Sequence, residues 1–319
     1  SSPAIAVIES PFQLLSLLEA MNGGTVAGEV DALVRGSPTA YRAIAGLIDR
    51  RATAPLTLRF GWSDGAVVRR AMTADELIVG DVLSGLAQLV LVLSRDGRVT
   101  LLDDGASILH AVATLADPTR SLVRPRIVPR RDRTQLARWA AATLRRRSEH
   151  GELVVSTGFD LGVCGFGELR RHEYSWTRSL APTWWLPERA DVLIGSALAA
   201  DGLVHAQAYR GWLEESVRAS TSAGRPVVFL PHRRESDAAV DVVRASSGLV
   251  GSMAGLPVEI LAVAAPQGCA FSMLPSTVAL TVGLVAPCVR SRVTTVPEHW
   301  WTDRAPQVAR QFFNELATQ

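Results

Sequence analysis

The chain of 319 residues contains no lysine; its 33 basic side chains are all arginine. With the accompanying excess of alanine and valine, this suggests a GC-rich bacterial coding sequence. Cysteine is nearly as scarce. Cys164, Cys269 and Cys288 are far apart and odd in number. That excludes a metal-ligand spacing and argues against a disulfide framework, so a reducing cytoplasm is the expected compartment. Long apolar runs are missing too. The longest, residues 272–288, is interrupted by Pro275, Ser276, Thr277 and Pro287, so no membrane-spanning helix is expected. The chain opens on a strand-like run at residues 4–8, and no targeting leader is expected. A formal net charge of +2 is too small to imply a nucleic-acid partner. Neither the P-loop nor the dinucleotide glycine spacing occurs. No repeat or low-complexity tract is found. An Asp-x-Asp metal motif is also absent, Asp201 and Asp237 standing alone, so neither metal nor cofactor is expected.

What is present is a large apolar fraction, 48%, with 20% charged residues: a globular chain able to bury a sizeable core, long enough for two domains. Strand-like and helix-like segments alternate. Strands are expected at 4–8, 30–34, 56–60, 76–80, 99–102, 153–156, 170–176, 191–194, 226–230, 258–261 and 289–294. Helices are expected at 12–21, 41–49, 82–93, 107–115, 134–147, 206–220, 237–245, from 276 onward, and at 305–316. Such alternation predicts α/β architecture with parallel sheets. The expected division is an N-terminal domain, 1–150, and a C-terminal domain, 151–319, with the last helix packing back on the first domain. Trp184 and Trp185 read as a hinge or a core anchor.

The strand-like run Val99-Thr100-Leu101-Leu102 ends abruptly in Asp103-Asp104-Gly105. Two carboxylates at the carboxyl end of a parallel strand sit where open α/β sheets bind ligands. Adjacent acids also repel, so one holds its proton differently from the other, which suits a general base. The same tripeptide is also a good turn. A second constellation is Val227 to Ser236, VVFLPHRRES. Here a strand delivers Pro231 and His232 to its carboxyl end with Arg233 and Arg234 behind them: an anion site, or a basic surface turn. A third is Pro275-Ser276-Thr277, two hydroxyls that can cap a helix or hold a phosphate. A fourth is Ile194-Gly195-Ser196, a strand end whose glycine lets a ligand approach the backbone. Near the start, Ser10 and Pro11 open a helix as cap and first-turn residue.

Residues 119–147 hold ten arginines, including Arg130-Arg131 and Arg145-Arg146-Arg147, with Trp139 among them. Pro118, Pro125 and Pro129 interrupt the stretch before its helix. It reads either as a solvated helix face or, over residues 124–147, as a patch for anionic lipid headgroups or an acidic polymer. In the second case the protein would be peripheral to the inner face of the plasma membrane.

The N-terminal IESPFQLLSLLEA, then LLDDG, then PHRRE, then PST, in this order, resemble the bacterial sialyltransferase and polysialyltransferase families. The resemblance spans residues 8–277. It implies the GT-B fold, two Rossmann-like domains facing across a cleft, and an inverting, metal-independent glycosyltransferase. Such an enzyme would move sialic acid or a related acidic sugar from a CMP-activated donor to a glycan or glycolipid acceptor. Carried over, Asp103 would be the general base and His232 would stabilise the leaving phosphate. Ser276 and Thr277 would bind that phosphate or the donor. Asp104, Gly105, Gly195, Ser196, Pro231, Arg233, Ser10 and Gln13 would line the substrate and nucleotide sites. The families' His-Pro pair is here Pro231-His232-Arg233, which loosens the donor assignment. Two alternatives stay open: a GT-B relative using another nucleotide sugar, including an epimerase, and a non-catalytic nucleotide- or glycan-binding protein of envelope assembly.

Overall fold

A computed structural model of the chain describes residues 3–48, 55–124, 130–162, 165–180, 186–246, 248–251 and 256–318. Cys164, Pro125, Pro129, Trp184 and Trp185 lie outside them. The chain divides into two units. The first holds the residues up to Ser179 with 255–257, and the second holds the rest.

In the first unit, strands and helices alternate in the order β1 (Ala4–Ile8), α1 (Pro11–Asn22), β2 (Val30–Val34), α2 (Pro38–Ile48), β3 (Leu56–Arg59), α3 (Asp64–Ala71), β4 (Glu76–Val79), α4 (Gly85–Leu93) and β5 (Arg98–Leu101). Two helices follow, α5 (Ser107–Ala116) and α6 (Arg131–Glu149), then β6 (Leu153–Thr157), β7 (Glu168–Arg171) and α7 (Ser175–Ser179). The seven strands are all parallel, in the order β3-β2-β1-β4-β5-β6-β7. The first six follow the doubly wound order of Rossmann sheets, whose ligand crevice lies where the winding reverses, here between β1 and β4. The central strands are buried on both faces, so they read as continuous apolar runs. Serine hydroxyls set several helix starts. Ser10, Ser63 and Ser84 accept the backbone N–H three residues on, and each such cap contributes about 1 kcal/mol.

The second unit contains β8 (Asp191–Ile194), α8 (Ala206–Ser222), β9 (Val227–Leu230), α9 (Asp237–Ala245), β10 (Leu249–Val250), α10 (Val258–Val263), β11 (Ala270–Met273), α11 (Thr277–Val285), β12 (Arg290–Val293) and α12 (Gln307–Thr318). Its parallel sheet runs β10-β9-β8-β11-β12. This is the same winding, with the reversal between β8 and β11.

The expected class, α/β with two Rossmann-like parallel sheets, is therefore present. Several expectations are corrected. The domain boundary falls after Ser179 rather than after 150, because Leu153 pairs with Val99 and Glu168 with Val154. Strands β6 and β7 thus complete the first sheet. The arginine-rich stretch therefore lies within the first unit. Its helix α6 lies on the crossover from β5 to β6 and packs on α4, with Ala137, Ala140, Ala141 and Leu144 buried. Residues 258–261, expected as a strand, form α10. All but one of that helix's residues are buried, Glu259 among them, and a short, mostly apolar run suits either state. The strand missing from the expectation is β11, at the centre of the second sheet. It too is apolar and buried on both faces, so it merged with the apolar stretch that follows. Helix α3 and the two-residue β10 were also unforeseen, and residues 170–176 split into β7 and α7. The last helix belongs to the second unit, where it packs on α11.

Candidate functional site

Parallel winding gathers the carboxyl ends of strands distant in sequence. In the first unit, β1 ends in Glu9, β4 in Gly80-Asp81, β5 in Leu102-Asp103-Asp104-Gly105, β6 in Gly158 and β7 in His172. The adjacent acids of β5 point to different neighbours. Asp103 is fully buried. Its Oδ2 accepts the Gly158 N–H at 2.7 Å and the Tyr174 hydroxyl at 3.4 Å, and lies 3.4 Å from His172 Nε2. Its Oδ1 is buried with no hydrogen-bond partner among the described residues. Such an orphan costs about 1–3 kcal/mol and calls for an explanation.

Asp104 turns the other way, toward β1 and β4. Its Oδ1 accepts from Gln13 Nε2 at 3.0 Å, and Gln13 Oε1 accepts the Glu9 N–H at 2.7 Å. Gly80 leaves room for this side chain, since a Cβ there would stand on the Gln13 amide. Beside them Asp81 pairs with Arg124 and accepts the Leu83 N–H at 3.0 Å. Burial first, then the Asp104 charge, push the Asp81 carboxyl up to about 7 against the pull of Arg124. The repulsion anticipated within the Asp-Asp pair is thus exerted by Asp104 on Asp81. Gly105 has φ +62°, the left-handed turn that glycine accommodates. Ser10 and Gln13, expected at a ligand, are engaged by the protein: Ser10 caps α1, and Gln13 ties the end of β1 to that of β5.

The second unit gathers the other candidates on its own carboxyl edge. Gly195 and Ser196 follow β8, Pro231 to Glu235 follow β9, and Ser276-Thr277 follow β11. A Cβ on Gly195 would collide with the His232 backbone nitrogen and the Glu235 carboxylate, so this glycine serves the close approach of two loops. Glu235 accepts the Tyr209 hydroxyl at 2.9 Å, and that hydroxyl accepts the Ser196 N–H at 3.1 Å. Burial raises both the Glu235 and Tyr209 acids above their ordinary range. Ser196 Oγ accepts the Leu198 N–H, so Ser196 shapes its own turn. His232 Nδ1 accepts the Arg234 N–H at 3.1 Å, which assigns the ring proton of the neutral imidazole to Nε2. Arg234 is committed to Asp201, whereas Arg233 is exposed. Ser276 is the N-cap residue of α11, but its side chain makes no capping hydrogen bond. The capping explanation for this serine therefore fails, and the amino end of the helix keeps its positive dipole without a side-chain acceptor from Ser276.

The arginine-rich patch is largely consumed by the fold. Arg124 holds Asp81. Arg145 donates to the carbonyls of Thr114, Leu115, Asp117 and Arg120 at the end of α5, and Arg146 pairs with Asp96. Arg147 is 1% exposed, binding the Gly97 and Arg95 carbonyls and Glu152. Arg130, Arg131 and Arg138 remain exposed, with Trp139 54% exposed beside them. No helix among the described residues is long and apolar enough to cross a membrane.

Residues that sequence reasoning missed are Glu9, Asp81, Arg124, Gly158, His172 and Tyr174. Glu9, Gly158 and His172 each follow a strand directly and Asp81 comes one residue later, and that placement was the available signal.

No family model matches the chain, and no curated protein matches it in sequence. Among solved structures it is similar to the E. coli heptosyltransferase WaaC with ADP-2-deoxy-2-fluoro heptose, at 12% identity and TM-score 0.47, over 98% of this chain and 99% of that one. It is also similar to the UDP-GlcNAc 2-epimerase from Methanocaldococcus jannaschii, at 9% identity and TM-score 0.47, over 100% and 92% of the two chains. A third is a UDP-glucosyltransferase from Polygonum tinctorium, at 12% identity and TM-score 0.46, over 94% and 81%.

Proposed function

We propose that the protein is an inverting, metal-independent glycosyltransferase that moves sialic acid or a related acidic sugar from a CMP-activated donor to a glycan hydroxyl. The observation that carries this reading is the opposite chemistry of two like-wound sheets. One carboxyl edge presents a buried carboxylate with an orphan oxygen. The other presents an imidazole, an exposed guanidinium, two hydroxyls and a helix start that its serine leaves uncapped. Glycosyl transfer from a nucleotide needs both halves of this chemistry.

In this reading Asp103 Oδ1 takes the proton of the acceptor hydroxyl as its oxygen attacks the anomeric carbon. The bond from that carbon to the phosphate oxygen breaks on the opposite face, and its electron pair leaves with CMP. His232 Nε2–H, Arg233, Ser276, Thr277 and the start of α11 receive the phosphate charge, the work that a divalent metal does in many transferases. Gly195 and Glu235 hold the histidine loop. With Asp103 fully buried, the acceptor must displace the packing over Oδ1, and the base then works out of bulk water. The CMP donor and its acidic sugar rest on the motif order, Asp-Asp-Gly, His-Arg-Arg, Ser-Thr, and the exposed Arg233 guanidinium beside the histidine suits an anionic donor. For the membrane, we propose peripheral contact through Arg130, Arg131, Arg138 and Trp139.

The test is calorimetric titration of the whole chain with CMP, UDP, ADP and GDP, followed by CMP release from CMP-N-acetylneuraminate with a panel of galactosides. CMP is expected to bind at least about tenfold more tightly than the others, a margin of about 1.4 kcal/mol. Preference for UDP or ADP would transfer the protein to the other nucleotide-sugar enzymes. Tight CMP binding without transfer would support the non-catalytic alternative.

A further inference from the structure

Three costly features converge on one oxygen of Asp103, and the reaction as written leaves them unused. The first is His172, at the carboxyl end of β7. Its side chain is buried and comes within 3.4 Å of Asp103 Oδ2, yet neither ring nitrogen meets the geometry of a hydrogen bond to any group among the described residues. The second is Tyr174, whose φ of +53° is left-handed and strained for an aromatic residue. That strain seats its ring edge-on to the imidazole, with centroids 4.7 Å apart, and puts its hydroxyl 3.4 Å from the same Oδ2. The third is Gly158. A Cβ there would stand on the Tyr174 ring, and its N–H is the shortest contact to Oδ2. Packing alone gives no reason for an imidazole here, since an apolar side chain of similar volume would fill the space without burying two unpaired nitrogens.

We infer that His172 is a positioning residue for Asp103. Held as the Nε2–H tautomer, it closes on Oδ2 and fixes the carboxylate in one rotamer, so that Oδ1 is the oxygen presented to an acceptor. This rests on Asp103 being the base. Preorganised carboxylates are commonly held in this way by a second group that never touches substrate. The Gly158 N–H and the Tyr174 hydroxyl complete the cradle around Oδ2. His172 supplies the donor whose alignment improves when an acceptor hydroxyl draws on Oδ1.

The pairing is tested apart from turnover by 15N spectra of the whole chain labelled at histidine, with the His172 ring identified by its loss in His172→Gln. A ring protonated at Nε2, with a slowly exchanging proton whose shift moves in Asp103→Asn, is expected. An Nδ1–H ring, or a signal identical in Asp103→Asn, overturns the pairing. Kinetics then test its use. His172→Phe is expected to lower kcat for CMP release about 10²-fold, with KM for donor and acceptor within about threefold. His172→Gln, whose amide can donate from a similar place, should recover about tenfold of that loss. Equal activity of the Phe and Gln variants, or wild-type kcat in His172→Phe, overturns the assignment. If His172→Phe fails to fold, His172→Gln and the spectra decide. If the wild-type chain transfers nothing from a CMP-sugar, the proposed function fails, and the ring-proton comparison still decides whether Asp103 and His172 are paired.

Discussion

The two carboxyl edges are built on one plan and carry different side chains. Each lies on a parallel sheet whose winding reverses after its third strand, and each collects side chains from the ends of adjacent strands. The first edge is acidic and closed, with Asp103 fully buried, Asp81 nearly so, and Asp104 tied to Gln13. The second is basic, hydroxyl-rich and more open: Arg233 is exposed, and His232, Ser276 and Thr277 are half-buried. Identical winding thus fixes where a site can be, and side chains alone decide what it does. Closure suits a proton-accepting group that must work away from bulk water. Openness suits one that meets a large, charged, departing nucleotide.

The largest expected effect would break the division of labour outright. Asp103→Asn should lower transfer about 10³-fold while leaving CMP affinity within about twofold. A parallel loss of CMP binding, read by calorimetry, would show that the acidic edge also binds nucleotide. The reciprocal change, His232→Ala, should weaken CMP binding and slow transfer by about 10²-fold. An unaltered CMP isotherm would remove the histidine from the phosphate. Smaller again is Gly195→Ala, whose added carbon meets the His232 backbone and Glu235. It should cost about 1–3 kcal/mol in urea denaturation and weaken CMP in step with the displaced loop.

Asp81 sharpens the comparison through pH. Its carboxyl is raised to about 7 in the folded chain, against about 3.9 when unfolded. Between these values the folded state binds the extra proton. The contribution is therefore complete below the lower value and is lost as pH climbs through the upper one. Asp81→Asn should accordingly flatten the decline in urea stability from about pH 4 to about pH 7 and leave the variant the more stable at pH 8. A wild-type profile in the variant would place the titration elsewhere. The smallest effect belongs to the surface. Replacing Arg131, Arg138 and Trp139 together should change stability by less than about 0.5 kcal/mol while weakening binding to anionic vesicles. Retained vesicle binding would end the membrane proposal. Arg147→Ala, by contrast, should destabilise by about 3 kcal/mol, because the lost guanidinium leaves buried carbonyls unpaired.

Much of the fold was legible locally. Strand–helix alternation, the Ser10-Pro11 helix start and the abrupt stop at Asp103-Asp104-Gly105 are short-range signals, and the chain obeys them. Boundaries failed where the signal is ambiguous in principle. A buried central strand such as β11 and a buried short helix such as α10 are both short, mostly apolar runs, each with one polar residue, Ser272 and Glu259. The arginines near the end of α6 were misread because a guanidinium capping carbonyls in the interior looks, in sequence, like one facing solvent.

By itself the sequence determined the α/β class, a basic complement made wholly of arginine, and the strand ends on which candidate residues would lie. Tertiary structure decided which acid faces which partners. Gly158 and Tyr174 are 55 and 71 residues from Asp103, and Gln13 is 91 from Asp104. No local window relates residues so far apart. Parallel winding does, because each crossover returns the chain to the same edge, and the sheet reads out across its strands what the sequence spreads along its length.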